Sequence, residues 1–263
     1  MGRRLGQHFL KGTWAARALA SAAGITLKDT VLEIGPGKGA LTRELLKTGA
    51  SVVAIEKDEV LTALLREKFA VEITSGLLTI VSGDIREISP EKLGLKNGAY
   101  VVAANIPYYI TGEIIRQFLT ARTKPRTMAL LVQKEVAQRI ISKRESLLSL
   151  SVKAYGTPRI AAKVPRGNFS PPPAVDSAIL VVEFISTDFF KDITEERFFK
   201  VIHAGFAQKR KFLVNNLAVQ FEKAEMFEAF RTCRIDEKAR AENVPLETWK
   251  CLVRSIIEKT PSL

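Results

Sequence analysis

Two short stretches of this chain hold residue types whose combination does chemistry. The first is Asn105-Ile106-Pro107-Tyr108. An asparagine oxygen and a carbonyl freed by a turn both accept hydrogen bonds, while the proline fixes the backbone and donates none. The tyrosine offers an aromatic face. Such a set grips an exocyclic amine in the plane of its ring and stacks on that ring. The second is Gly35-Pro36-Gly37-Lys38-Gly39-Ala40, where glycines let the backbone approach a ligand ahead of a helix amino terminus. Two acids extend the set. Glu56 lies 21 residues after Gly35, where a carboxylate accepts both ribose hydroxyls of a nucleotide. Asp84 follows Ser82-Gly83 and suits an adenine amine, with the Ile85 amide donating to the ring. Taken singly, each has a plainer reading: a strand-to-helix turn, an exposed acid, a turn aspartate.

Each stretch needs an element to position it. Residues 99–104 are small and apolar and predict a buried strand that delivers Asn105; after it, Ile114, Ile115, Phe118 and Leu119 recur at helical spacing, with Thr111 placed to cap. Thr30–Ile34 predicts the first strand, feeding the glycine turn and a helix through Leu41, Leu45 and Leu46. Ser51–Glu56 predicts the second, and Asp58 then caps a helix through Leu61, Leu64, Leu65 and Phe69. Residues 77–81 predict the third. The candidate groups thus stand at the carboxyl ends of four successive strands, where open α/β sheets place their ligands. Residues 126–132 predict a fifth strand, and Thr157–Val164 and residues 177–184 two more, a hairpin that closes the sheet. Between those two lies Asn168-Phe169-Ser170-Pro171-Pro172-Pro173-Ala174-Val175-Asp176-Ser177; its prolines hold an extended loop, and Phe169 is a candidate to lie against an unstacked base. Beyond Ser186 helical spacing takes over, so two domains are expected, residues 1–185 and 186–263. The start, Gly6-Gln7-His8-Phe9-Leu10, reads on physical grounds as a flexible basic end.

Composition narrows the partners. With 263 residues and 46% hydrophobic content, the chain can bury one sizeable core and a small second one. The net charge of +12 is uneven: residues 116–166 carry 12 Lys/Arg against 2 Asp/Glu. A basic block beside a candidate base pocket suggests a phosphate backbone as partner. Lys209-Arg210-Lys211 is a shorter cluster that reads as a solvated helix start. No apolar run approaches the roughly 20 residues of a membrane span, and no signal peptide is evident. Cys233 and Cys251 have neither metal nor redox spacing; they are expected as unpaired thiols of a reducing compartment, in a cytoplasmic protein with no metal.

The chain resembles the bacterial ribosomal RNA adenine dimethyltransferase family over nearly its whole length. The resemblance rests on Gly6-Gln7-His8-Phe9-Leu10, Glu33-Ile34-Gly35-Pro36-Gly37, Glu56, Gly83-Asp84, Asn105-Ile106-Pro107-Tyr108, the Phe169 to Ser177 loop and residues 206–217, in that order. It implies a seven-stranded, Rossmann-like S-adenosylmethionine-dependent methyltransferase sheet with a small carboxyl-terminal helical domain. It also implies a monomer that dimethylates two adjacent adenosines in a 3′-terminal loop of small-subunit rRNA, within a pre-30S particle. Carried over by position, Gln7, His8, Leu10, Gly35 and Gly37 should line the cofactor. So should Glu56, Asp84, Ile85 and Asn105, with Asn105, Ile106, Pro107, Tyr108 and Phe169 around the reacting base. The family often has Asn where this chain has His8 and Tyr109. Competing readings are a resistance methyltransferase acting on large-subunit rRNA, a non-enzymatic RNA-binding assembly or transcription factor, and a dinucleotide-dependent dehydrogenase. The Gly-Gln-x-Phe-Leu start combined with residues 206–217 favours the first reading; the intact Glu56/Asp84/Asn105 set argues against the non-enzyme, and Asn105–Tyr108 against the dehydrogenase.

Overall fold

The computed structural model describes residues 8–258. Among the described residues nine strands form: β1 (Phe9–Leu10), β2 (Thr30–Ile34), β3 (Ser51–Glu56), β4 (Leu78–Ser82), β5 (Tyr100–Asn105), β6 (Thr127–Gln133), β7 (Thr157–Val164), β8 (Phe169–Ser170) and β9 (Ser177–Glu183). The helices are α1 (Trp14–Ala22), α2 (Ala40–Leu46), α3 (Glu59–Lys68), α4 (Ala70–Thr74), α5 (Thr111–Thr120), α6 (Lys134–Ile141), α7 (Leu147–Tyr155), α8 (Glu195–Gly205), α9 (Leu213–Leu217), α10 (Lys223–Thr232) and α11 (Leu246–Glu258). The chain divides into two units, one running up to Gln138 and resuming over Gly156–Ser186, the other made of Arg139–Tyr155 and Thr187 onward.

The first unit is a seven-stranded sheet in the order β4-β3-β2-β5-β6-β9-β7. The five strands from β4 to β6 are parallel; β9 runs antiparallel to both β6 and β7. Strands buried on both faces read as continuous apolar runs, and Tyr100 to Ala104 in β5 are all buried. On one face Val31, Val52, Ala54, Val101, Ala103 and Leu131 share a cluster with Leu19 of α1, Leu41 and Leu45 of α2 and Leu65 of α3. In α5, Ile114, Ile115, Phe118 and Leu119 are buried, each contributing about 1.5–3 kcal/mol. The expected Thr111 cap does not form: the turn Tyr108–Ile110 runs straight into the helix, making Thr111 its first residue with a buried, unpartnered hydroxyl.

Register aligns the strand ends. Ile34 pairs with Ile55 on one side and Ala104 on the other, and Glu56 pairs with Ser82. From β2 the chain steps one way to β3 and β4, then returns to β5 on the opposite side. The β2/β5 crevice is therefore the topological switch point of the sheet, where such folds bind ligands.

The helical unit has its own core around Trp249, Phe198, Phe230 and Leu213. Gly205, the last residue of α8, has no room for a side chain, since an added Cβ would lie 2.3 Å from the Trp249 ring. Two expectations are corrected here. Residues 139–155 belong to this unit, since Leu150 and Ala154 join its core and the Tyr155 hydroxyl donates to Glu195 at 2.8 Å; a single boundary after residue 185 therefore does not describe the division. Cys233 and Cys251 form a disulfide with Cα atoms 5.8 Å apart, instead of standing as unpaired thiols. The packing of α10 beside α11 brings them together. Among the described residues no helix is long and apolar enough to cross a membrane.

Candidate active site

At the carboxyl ends of β2, β3, β4 and β5 lies a cavity of about 250 Å³. It gathers His8, Leu10, Gly35, Gly37, Glu56, Asp84, Ile85 and the whole of Asn105 to Tyr108. Gln7 lies outside the described residues. Gly35, Gly37 and Gly39 have φ of +64°, +58° and +77°, a region that disfavours side chains. At Gly37 an added Cβ would also come within 2.9 Å of the Phe9 ring. The Glu56 carboxylate secures this turn: one oxygen accepts from the Gly37 amide at 3.0 Å, the other from the Asp58 amide at 3.0 Å. Asp58 caps α3 through the amides of Val60 and Leu61, as the sequence predicts.

Opposite the glycines, the Asn105 side-chain nitrogen donates to the His8 carbonyl at 2.9 Å. A carbonyl can only accept, so this bond fixes the amide orientation and leaves Asn105 Oδ1 as the acceptor. The Tyr108 hydroxyl bonds Ser177 at 2.6 Å, and its ring stacks on His8 with centroids 5.8 Å apart. His8 Nδ1 in turn meets the Pro171 carbonyl at 2.7 Å. Behind these contacts β1 pairs with β8, Phe9 facing Ser170 and Leu10 facing Phe169. Residues 8–10 are thus an ordered wall of the cavity, which corrects the expectation of a flexible end for this part of the chain. Tyr109 stands at the rim with 72% of its surface exposed.

Three findings were not expected. Phe169 does not line the cavity: the β1–β8 pairing turns it into the apolar cluster, where it is 1% exposed. Asp84 is already engaged, accepting from Lys57 at 2.9 Å and from the Arg86 backbone and guanidinium at 3.0 Å; the Arg86 bonds hold its carboxyl well below the usual carboxylate range. Finally, Glu33 lines the cavity at 1% exposure with neither carboxylate oxygen hydrogen-bonded among the described residues. Burial pushes its carboxyl up to about 8; the adjacent Thr42 pulls the other way, and the Glu56 charge adds to the rise. An acid inside an otherwise apolar strand was the available sequence signal.

A buried acid without a partner among the described residues, glycines forced to positive φ and a fixed amide acceptor together describe a site built for a ligand carrying positive charge and hydrogen-bond donors. The family model for ribosomal RNA adenine dimethylase matches residues 2–258. The chain belongs to this family. It is 42% identical over 252 residues to ribosomal RNA small subunit methyltransferase A of Dehalococcoides mccartyi strain CBDB1, covering 94% of this chain and 86% of that protein. A relative of the same description from Clostridioides difficile strain 630 is 35% identical over 268 residues, covering 99% and 92%. Among solved structures, a dimethyladenosine transferase from Plasmodium falciparum aligns with TM-score 0.80 at 26% identity, over 93% of this chain and 96% of that one. The 23S rRNA methyltransferase ErmE aligns with TM-score 0.78 at 25% identity, over 95% and 99%. The dimethylase family thus accounts for the seven-stranded methyltransferase sheet.

Proposed function

We propose that this chain transfers methyl groups from S-adenosylmethionine to the exocyclic amines of two adjacent adenosines in a 3′-terminal loop of small-subunit rRNA. Its substrate is a pre-30S particle, and it acts as a cytoplasmic monomer. The observation that carries the reading is the Asn105 amide, pinned by His8 so that its oxygen is the remaining acceptor at the switch point of the sheet. The cavity suits the cofactor: Glu56 for the ribose, Asp84 and Ile85 for the adenine, the backbone at Gly35 and Gly37 for close approach, and the orphaned Glu33 carboxylate for positive charge.

When bound, the cofactor supplies an electrophilic methyl on a sulfonium leaving group. The protein's task is positioning. An adenine amine is a poor nucleophile because its lone pair is delocalised into the ring. Asn105 Oδ1 and the Ile106 carbonyl accept hydrogen bonds from its two N–H groups and favour a pyramidal nitrogen with the lone pair directed at the methyl. Positioning of this kind supplies several kcal/mol, up to roughly 7–11 in ideal cases. Tyr108 is held by Ser177 and His8 before any base arrives, so its face is a fixed platform, worth about 1–3 kcal/mol per stacked base. For the second transfer the monomethylated amine has one proton left for these two acceptors.

Labelled methyl transfer to unmodified small subunits, large subunits and naked RNA tests the reading. Small subunits should accept two methyls on each of two adenosines. Transfer to large subunits alone would support the activity named for ErmE instead, and transfer to neither would overturn the assignment.

A further inference from the structure

Asp84, the cavity acid assigned above to the cofactor's adenine, has its acceptor sites filled by the protein itself. It caps the turn Ile85–Glu87 through the Arg86 amide at 3.0 Å. The Arg86 guanidinium takes both carboxylate oxygens as a fork, with Nε 3.0 Å from Oδ1 and Nη2 2.5 Å from Oδ2. Lys57 Nζ adds a bond to Oδ2 at 2.9 Å. An ionised carboxyl offers about four lone-pair sites, so these donors use them all. An adenine amine reaching Asp84 must therefore take a site from one of them. The Arg86 amide is fixed by the turn. Of the two side chains, Arg86 covers both oxygens and Lys57 only one.

A second acid stands near the guanidinium. Gln117 of α5 donates to the Ile85 carbonyl at 2.8 Å and so fastens this turn to the helix. Glu113 lies four residues before Gln117, hence on the same face of α5, one turn nearer its start. It is exposed and makes no ion pair among the described residues. Asp84 first raises the Arg86 guanidinium above its ordinary value, and the Glu113 charge adds to the rise. The guanidinium is exposed, so a change of side-chain rotamer suffices to exchange one carboxylate for the other. We propose that Arg86 is a built-in competitor for the cofactor's adenine amine: it holds Asp84, yields the carboxylate when the amine binds, passes to Glu113, and retakes Asp84 as spent cofactor leaves. Arg86 is a positioning residue, acting through Asp84. Each adenosine that takes two methyls consumes two cofactors, and a resident competitor keeps the spent one from binding too tightly. The inference rests on the reading of Asp84 as the adenine acceptor.

The test uses the full chain and two ligands. S-adenosylhomocysteine carries the amine on a neutral sulfur compound; S-inosylhomocysteine carries a carbonyl in its place. Both are titrated by calorimetry into wild type, Arg86→Ala, Lys57→Ala, Glu113→Gln and Asp84→Ala, with circular dichroism as the folding control. Arg86→Ala should bind S-adenosylhomocysteine about fivefold more tightly, the worth of one exposed ion pair, and S-inosylhomocysteine no more tightly than wild type does. Glu113→Gln should weaken S-adenosylhomocysteine by about twofold or more, since the displaced guanidinium loses its second partner. Three results overturn the proposal: Arg86→Ala with unchanged or weaker S-adenosylhomocysteine binding; an equal gain for both ligands, which is only the removal of a positive charge; or a gain confined to Lys57→Ala, which would make Lys57 the group that yields. Failure of the underlying reading looks different: Asp84→Ala would then bind both ligands as wild type does.

Discussion

Replacing Glu33 with Gln removes a charge and keeps the shape, and its consequence can be worked through from the structure. Glu33 is 1% exposed and its carboxyl is pushed up from 4.5 to about 8. Between those values the folded chain keeps the proton and the unfolded chain releases it. The folded state thus binds more protons, and stability falls as pH rises through this window, levelling off above about 8. At about 1.4 kcal/mol per pH unit, the total loss is on the order of 5 kcal/mol. Glu33→Gln should match wild type in acid and exceed it in stability above about pH 8, with a flatter profile between. Urea unfolding of both proteins from about pH 5 to about pH 9 reads this directly. The same charge should matter to the ligand. A cationic cofactor relieves the penalty, so wild-type cofactor affinity should rise with pH through the window and that of Glu33→Gln should not. Parallel stability profiles for the two proteins would refute the argument, since the proton would then reside elsewhere.

Other substitutions follow from the same contacts. Glu56→Ala should weaken S-adenosylmethionine binding by about 1.5–3 kcal/mol in calorimetry, because the ribose loses a charged acceptor and the Gly37 turn loses its anchor. Phe169→Ala should cost about 3–5 kcal/mol of stability, as expected of a core ring; a folded variant of normal stability with impaired RNA binding would return Phe169 to the base pocket. Tyr108→Phe should leave Ser177 buried without its partner, costing about 1–3 kcal/mol of stability while KM for RNA holds, since the ring remains. If exposed cations of residues 116–166 meet RNA, Lys143→Ala should reduce the salt slope of RNA binding by roughly one phosphate's share, and a salt-independent affinity would show a merely solvated surface.

The parallel strands were legible because a strand buried on both faces must be apolar throughout, and those runs stand out in the chain. The strand ends then placed the glycines, Glu56, Asp84 and Asn105 in one cavity. What escaped the sequence depends on distant pairing. The two-residue strands β1 and β8 have no periodicity of their own, yet their pairing orders His8, turns Phe169 inward and orients Asn105. Residues 139–155 have an ordinary helical pattern, and only the burial of Leu150 and Ala154 assigns them to the helical unit. The Cys233–Cys251 bond is set by the approach of α10 and α11, to which cysteine spacing is blind. Asp84 was read as free for a ligand because nothing in the sequence shows Arg86 and Lys57 folding back onto it.

The central claim is that Asn105 orients the target amine. Its direct test is single-turnover methyl transfer to unmodified small subunits by Asn105→Ala, with cofactor and RNA both saturating and the affinity for each measured in the same variant. The loss lies in an interaction made mainly in the transition state, so RNA affinity should stay near wild type while the transfer rate falls by several orders of magnitude. Transfer at close to the wild-type rate would contradict the account, leaving Asn105 only the role of tying down the His8 carbonyl.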